Sequence, residues 1–143
     1  MANTAVICLG NRFIAGDALG CRVYDYLTRI SPRAAGIDIL DGGLCGLDLL
    51  RLVEHRQRVV FVDAVAGLAE SGATVVLSRA QIAAHAGGYG HGAGLPYLLQ
   101  LLPALHPLPL PEIVLVGSEG EPDAPMIRQV AELSMEIAVH GTC

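Results

Sequence analysis

Residues 58–63 read Arg-Val-Val-Phe-Val-Asp, a nearly unbroken apolar run that ends in a carboxylate. A short run of this kind, rich in β-branched residues, is typical of a strand buried on both faces of a sheet. Similar runs occur before and after it along the chain. The four further strands predicted from them are residues 5–9, 36–40, 74–77 and 112–116.

Segments with helical periodicity separate these strands. Apolar residues recur every three or four positions within residues 17–30, 47–53, 95–102 and 126–137. Strands that alternate with helices predict the α/β class, here a three-layer α/β/α arrangement around a mostly parallel twisted sheet of about five strands. Since neither an internal repeat nor a second domain is visible, we expect residues 1–143 to form one domain.

The composition narrows the classes of function. The 143 residues are 52% hydrophobic with a net charge of -5, which excludes intrinsic disorder. Because no basic run occurs, we expect no nucleic-acid partner. We also expect no membrane association and a cytoplasmic location, since no apolar stretch is long enough to span a bilayer and no signal-peptide pattern is evident.

The four cysteines give no sign of a disulfide framework. They occur singly, without a Cys-x-x-Cys pair, at Cys8, Cys21, Cys45 and Cys143. This pattern predicts free thiols and no structural zinc. Cys45 lies in a loop that could border a site, but a small buried apolar role is the expected one.

Ligands of parallel α/β sheets bind beyond the carboxyl ends of the strands, at a point where the strand order reverses. This rule directs attention to the residues that follow the predicted strand ends Leu9, Leu40, Val62, Leu77 and Val116. No phosphate-binding glycine motif and no Gly-x-Ser-x-Gly nucleophile motif occurs at these places. What remains there is a small set of carboxylates and imidazoles.

Two aspartates follow predicted strands. Asp17 stands where a helix begins after the first strand, and its alternative role is a helix N-cap. Asp63 ends the strand of residues 58–63, where a carboxylate is costly to bury unless it is paired or bound to a metal. A turn-forming role that uses nearby backbone amides is the alternative for Asp63.

The third candidate is His91, in a segment with five glycines among residues 86–94. Glycines allow close backbone approach and a loop that can close over a ligand. His85, at the end of an alanine-rich segment, is the rival histidine. Asp17, Asp63 and His91 together form an oxygen and nitrogen donor set suited to a divalent cation such as zinc, nickel or manganese.

Through these residues and the motifs around them, the chain resembles the hydrogenase maturation proteases, which process the large subunit of [NiFe] hydrogenases. The resemblance runs nearly from end to end. The matching motifs, in chain order, are GN at 10–11 with GDALG at 16–20, DILDGG at 38–43, VDA at 62–64, HGAGL at 91–95 and VLVG at 114–117. The chain departs from the family pattern at Gly16, where many members carry an acid, and at Leu44, where a threonine is common.

The resemblance implies an aspartic-type endopeptidase whose catalytic and metal-recognising residues are Asp17, Asp63 and His91. It also implies a substrate, the [NiFe] hydrogenase large-subunit precursor, that brings its own nickel and loses a C-terminal extension. Zinc or another divalent cation is expected to act as a surrogate for nickel, and the protein is expected to be a monomer. Either Asp17 or Asp63 could be the general base.

Two other functions are also consistent with the sequence. The first is a binding module that senses metal occupancy with the same three residues but cuts nothing. The second is an unrelated α/β hydrolase or transferase that carries its reactive groups elsewhere on the same edge of the sheet.

Overall fold

The computed structural model describes residues 2–30, 36–43, 49–65, 70–84 and 110–142. Its strands are β1 (Thr4–Leu9), β2 (Ile37–Gly43), β3 (Arg58–Val65), β4 (Thr74–Ser78) and β5 (Glu112–Glu119). Its helices within these ranges are α1 (Leu19–Ile30), α2 (Leu49–Val53), α3 (Arg79–Ala84) and α4 (Ala124–His140), and a short 3-10 turn covers Ala15–Asp17.

The strands form one sheet in the order β2-β1-β3-β5-β4. β2, β1, β3 and β5 are parallel, so their carboxyl ends meet at one edge, which we call the carboxyl edge. The chain passes from β1 outward to β2 and then returns to place β3 on the other side of β1. The strand order therefore reverses between β1 and β3, and this is where an α/β sheet offers a ligand crevice.

Helices cover both faces of the sheet. α1 and α4 pack on one face, where their apolar residues meet alternate residues of β1, β3 and β5. α2 and α3 contribute Leu49, Val53 and Ile82 to the core on the opposite face. The predicted three-layer α/β/α class with a mostly parallel sheet of five strands is thus confirmed.

The strands extend beyond their predicted ends. β2 continues to Gly43, β3 to Val65 and β5 to Glu119, because the polar residues and glycines that look like stops in the sequence still pair with their neighbours. The prediction that Asp63 ends its strand was therefore wrong, as it lies inside β3. α1 begins at Leu19 rather than at residue 17, and α3 was not predicted. The predicted helix at residues 95–102 lies outside the described residues.

One strand runs against the others. β4 is antiparallel to β5, with Thr74 paired to Ser118 and Ser78 to Val114. The carboxyl end of β4 therefore lies at the opposite edge, and the prediction that a ligand site could follow Leu77 was wrong. An apolar run indicates burial but not strand direction, which is why the sequence pattern did not reveal this reversal.

Helix α1 starts very close to the end of β1. A Cβ atom on Gly20 would overlap the backbone carbonyl of Leu9, so only glycine fits in this first helical turn. The close approach fixes the position of the loop that joins the two elements. Around Gly16, in the same loop, no atom of the described residues lies within 4 Å of the position that a Cβ would take.

The pair of glycines gives a stability prediction. Gly20→Ala should lower the free energy of unfolding by about 3 kcal/mol, because the added methyl group forces apart packed backbone. This loss is expected even though alanine ordinarily stabilises a helix by about 1 kcal/mol over glycine. Gly16→Ala, as the control, should change it by less than about 0.5 kcal/mol. Urea denaturation measures both, and equal stability of the two variants would contradict the packing described.

Candidate functional site

The loop after β1 carries Asp17 back to the end of its own strand. The backbone N–H of Asn11 donates to the carbonyl of Asp17 at 2.9 Å, and the N–H of Asp17 donates to the carbonyl of Ile14 at 2.9 Å. Gly10, with φ of 145°, makes this return possible, since a Cβ there would overlap the Asp17 carbonyl oxygen. As a result Asp17 is only 5% exposed, at the carboxyl edge beside the strand-order reversal.

Asp63 lies next to that loop, within the buried part of β3. It pairs in register with Gly117 of β5 and is 2% exposed. Strand alternation puts its side chain on the same face as Phe61 and Val65, which belong to the core. A carboxyl group in such surroundings is costly to ionise.

The 3-10 turn that ends at Asp17 contacts β3, the strand of Asp63, so the charges of the two aspartates act on each other. Burial raises the pKa of Asp63 well above its ordinary value, and the negative charge of Asp17 raises it further. A hydrogen bond from the backbone N–H of Ala64 acts in the opposite direction but does not compensate. Oδ1 of Asp63 meets no hydrogen-bond donor among the described residues.

This arrangement can do two kinds of chemistry. A buried carboxyl with a raised pKa can hold a proton near neutral pH and exchange it with a reacting group. Alternatively, a cation that reaches the pair would replace the proton and remove the repulsion between the two carboxylates. Both uses need an unfilled coordination or hydrogen-bond position, which Oδ1 of Asp63 supplies.

The other predicted site residues lie elsewhere. His91, its rival His85 and Cys45 are outside the described residues. Within the ranges that the structure covers, no group of three histidine, cysteine or acidic side chains could hold a metal ion. The structure thus brings together two of the three predicted ligands, and the complete triad remains a prediction.

The structure also reveals site neighbours that the sequence analysis did not single out for a function. Phe13 and Ile14, in the loop that carries Asp17, are 90% and 53% exposed. Asp41, near the end of β2, adds a third carboxylate to this edge and accepts a hydrogen bond from the N–H of Gly43 at 2.9 Å. No local sequence pattern marks Phe13 and Ile14, because their exposure depends on the geometry of the loop.

Cys8 and Cys21 are free thiols, as predicted, and burial is the main cause that raises the pKa of each. No helix in the described ranges has the length and apolar character needed to cross a membrane.

Comparison with known proteins identifies the family. The family model for HycI, hydrogenase maturation protease, matches residues 21–139 of the chain. The chain belongs to the hydrogenase maturation protease family. The family resemblance predicted from the sequence motifs is thereby confirmed.

One relative agrees with that assignment. The hydrogenase 2 maturation protease of Escherichia coli (strain K12) is 27% identical over 74 residues, which are 52% of this chain and 45% of the relative. The aligned stretch thus spans a little under half of that curated protein.

Solved structures show the likeness of fold over nearly the whole chain. The hydrogenase maturating endopeptidase HybD from E. coli has a TM-score of 0.75 at 25% identity, covering 95% of this chain and 88% of that one. The [NiFe] hydrogenase maturation protease HybD from Thermococcus kodakarensis has a TM-score of 0.68 at 22% identity, covering 97% of each chain. At 22% identity, this second match is evidence for the fold only.

The raised pKa of Asp63 predicts how stability changes with pH in this maturation-protease family member. Above about pH 4 the unfolded chain loses the Asp63 proton while the folded protein keeps it, so wild-type stability falls as pH rises toward the folded-state pKa. Asp63→Asn removes this loss. Its free energy of unfolding should therefore rise relative to wild type, by up to about 1.4 kcal/mol per pH unit within that window.

Asp38→Asn is the control with the opposite sign. Arg56 donates to Asp38 at 2.8 Å and lowers the pKa of that carboxyl. The stability that Asp38 contributes is present above about pH 4 and is lost as pH falls through the lowered value. Urea denaturation between about pH 2 and pH 7 measures both variants, since the Asp38 contribution changes below about pH 4 and the Asp63 contribution above it. A pH-independent difference between Asp63→Asn and wild type would contradict a buried, proton-holding carboxyl.

Proposed function

We propose that this protein is an endopeptidase that recognises nickel in a [NiFe] hydrogenase large-subunit precursor and removes the C-terminal extension of that precursor. The observation that carries the proposal is the pair of buried carboxylates, Asp17 and Asp63, at the strand-order reversal of a hydrogenase maturation protease. Nickel arrives with the substrate, so the protein needs donors for an incoming ion rather than a resident metal.

Recognition of the nickel follows from the charges at the carboxyl edge. Before the substrate arrives, Asp63 holds its proton because burial and the Asp17 charge disfavour ionisation. A divalent cation brought to the pair favours the ionised form of Asp63 and offsets the repulsion between the carboxylates. A precursor without nickel lacks this favourable interaction between the cation and the two carboxylates, so the site discriminates between loaded and empty substrate.

The third donor in the proposal is His91, carried over from the matching position of the family motif. An imidazole nitrogen and two carboxylate oxygens form a donor set that suits nickel, and also zinc or another divalent cation as a surrogate. The remaining positions around the ion stay with the substrate. Contact between the ion and the protease would then align the scissile peptide bond with the carboxylates.

Hydrolysis needs a group that moves a proton. The oxygen of a water molecule attacks the scissile carbonyl carbon while one of the two carboxylates accepts the water's proton. The same carboxyl then gives that proton to the amine nitrogen as the C–N bond breaks. Either Asp17 or Asp63 could serve in this step, and the raised pKa of Asp63, caused by burial and by the Asp17 charge, suits a group that holds and releases a proton.

A processing assay tests the proposal. Purified protein is mixed with the large-subunit precursor of the same organism, prepared with and without nickel, and the product is measured by intact mass spectrometry. We expect loss of a C-terminal peptide from the nickel-loaded precursor only. Binding without a mass change would indicate a metal-sensing module, and neither binding nor cleavage would reject the proposal.

The choice of histidine gives a matched pair of variants. His91→Ala should abolish processing of the nickel-loaded precursor, because it removes a nickel donor, while the melting temperature stays near that of wild type. His85→Ala, six residues earlier, should retain processing. Activity that survives in His91→Ala and fails in His85→Ala would show that the wrong histidine was chosen, and activity that survives in both would reject the three-residue site.

A further inference from the structure

The loop that carries Asp17 holds a large aromatic side chain out in solvent. Phe13 is 90% exposed and Ile14 beside it is 53% exposed. The loop is nevertheless well held, because the N–H of Phe13 donates to Oδ1 of Asn11 at 2.9 Å and the N–H of Ile14 donates to the Asn11 carbonyl at 3.2 Å. An aromatic side chain presented on a preorganised backbone loses little conformational entropy when a partner covers it.

An arginine-lined groove lies on the neighbouring surface, between α1 and the start of α4. Its volume is about 530 Å³, and Arg22, Arg29 and Arg128 line it together with Tyr26 and Pro125. The guanidinium of Arg29 lies 5.7 Å from the centre of the Tyr26 ring. No ion pair of these three arginines is found among the described residues, whose ion pairs involve Arg12, Arg56 and Arg58.

The charge of this groove is opposite to that of the chain. Among the described residues, Asp25 is the one acid that lines the groove, and Arg12 forms an ion pair with it at 3.2 Å. The three arginines and one aspartate that line the groove leave a local surplus of positive charge, in a chain with a net charge of -5. Such a local reversal of sign favours a negatively charged partner surface.

The Arg12–Asp25 ion pair also connects the two features. It joins the loop that presents Phe13 to the helix that carries Arg22 and Arg29, and Asp25 itself lines the groove, so the loop and the groove are neighbours on the surface. We call this surface, defined by Phe13, Ile14, Arg22, Arg29 and Arg128, the docking surface.

We infer that the docking surface binds the folded body of the precursor through an apolar pocket that receives Phe13 and an acidic segment that faces the arginines. The inference rests on the proposed function. A partner protein is indicated because Arg22 and Arg29 are seven residues apart on one helix, about 10 Å along its axis, which one small anion does not bridge. Guanidinium groups also pair with carboxylates in a bidentate manner that gives specificity.

The effect expected of this surface is on substrate binding rather than on the chemical step. The residues lie beside the carboxylate pair and not within it, so their contacts are made equally in the bound substrate and in the transition state. Loss of such uniform binding raises KM and leaves kcat unchanged. A docking role therefore differs in kinetics from a catalytic one.

The test measures kcat and KM for cleavage of the nickel-loaded precursor by four variants. Phe13→Ser and the double variant Arg22→Glu/Arg128→Glu should each raise KM by about tenfold without a change in kcat. Val139→Ser, an apolar residue 57% exposed near the end of α4, and Arg51→Glu, an exposed arginine of α2, are the matched controls and should leave KM unchanged. Rising salt should increase KM of wild type more steeply than KM of the double arginine variant.

The outcomes separate the two proposals. If wild type cleaves the precursor and the docking variants have the KM of the controls, the docking surface is rejected and the proposed function stands. If wild type neither binds nor cleaves the precursor, both are rejected. If inorganic phosphate inhibits cleavage while the arginine substitutions leave KM unchanged, the groove binds small anions. Docking of the precursor protein on this surface is then rejected.

Circular dichroism and melting temperature show whether each variant is folded. If charge reversal prevents folding, Arg22→Gln/Arg128→Gln removes the positive charges without introducing negative ones. This neutral variant should still raise KM several-fold, and a KM equal to that of wild type would reject the docking surface.

Discussion

The burial of the Asp63 carboxyl inside a parallel strand is the constraint on which the candidate site depends. At 2% exposure and beside Asp17, the group keeps its proton well above the pH at which an ordinary aspartate ionises. Such a buried acid lowers the free energy of unfolding as pH rises, and the stability of the fold does not require it. Its location at the strand-order reversal, where α/β sheets bind ligands, accounts for that cost in functional terms.

The backbone around the pair is arranged to bring it together. Gly10 lets the loop after β1 turn back over its own strand, and Gly20 lets α1 begin against the Leu9 carbonyl. Both glycines act on Asp17, because they fix the two ends of the segment that holds it. Asp63 comes from a different strand, so the site forms only when β1 and β3 are paired.

The sequence predicted much of this fold because burial leaves unbroken apolar runs in the strands and periodic apolar positions in the helices. The five strands and most of α4 were found in that way, and α4 begins after Asp123, whose side chain accepts a hydrogen bond from the Met126 N–H. Strand direction and strand ends were not predictable, as β4 and the extension of β3 past Asp63 show, since they depend on pairing between distant residues. Asp17 and Asp63 were found because acids after apolar strands are unusual, whereas the exposure of Phe13 depends on loop geometry that no local pattern encodes.

The central claim is that the Asp17 and Asp63 carboxylates contact the nickel that the precursor carries. Nickel-edge X-ray absorption tests this most directly, with the loaded precursor alone, with wild-type protein added and frozen before cleavage is complete, and with Asp17→Asn/Asp63→Asn added. We predict that wild-type protein adds oxygen or nitrogen neighbours at about 2.0–2.2 Å from the metal and that the double variant adds fewer. Identical nickel spectra for the precursor with and without wild-type protein, under conditions in which the two bind, would contradict the claim.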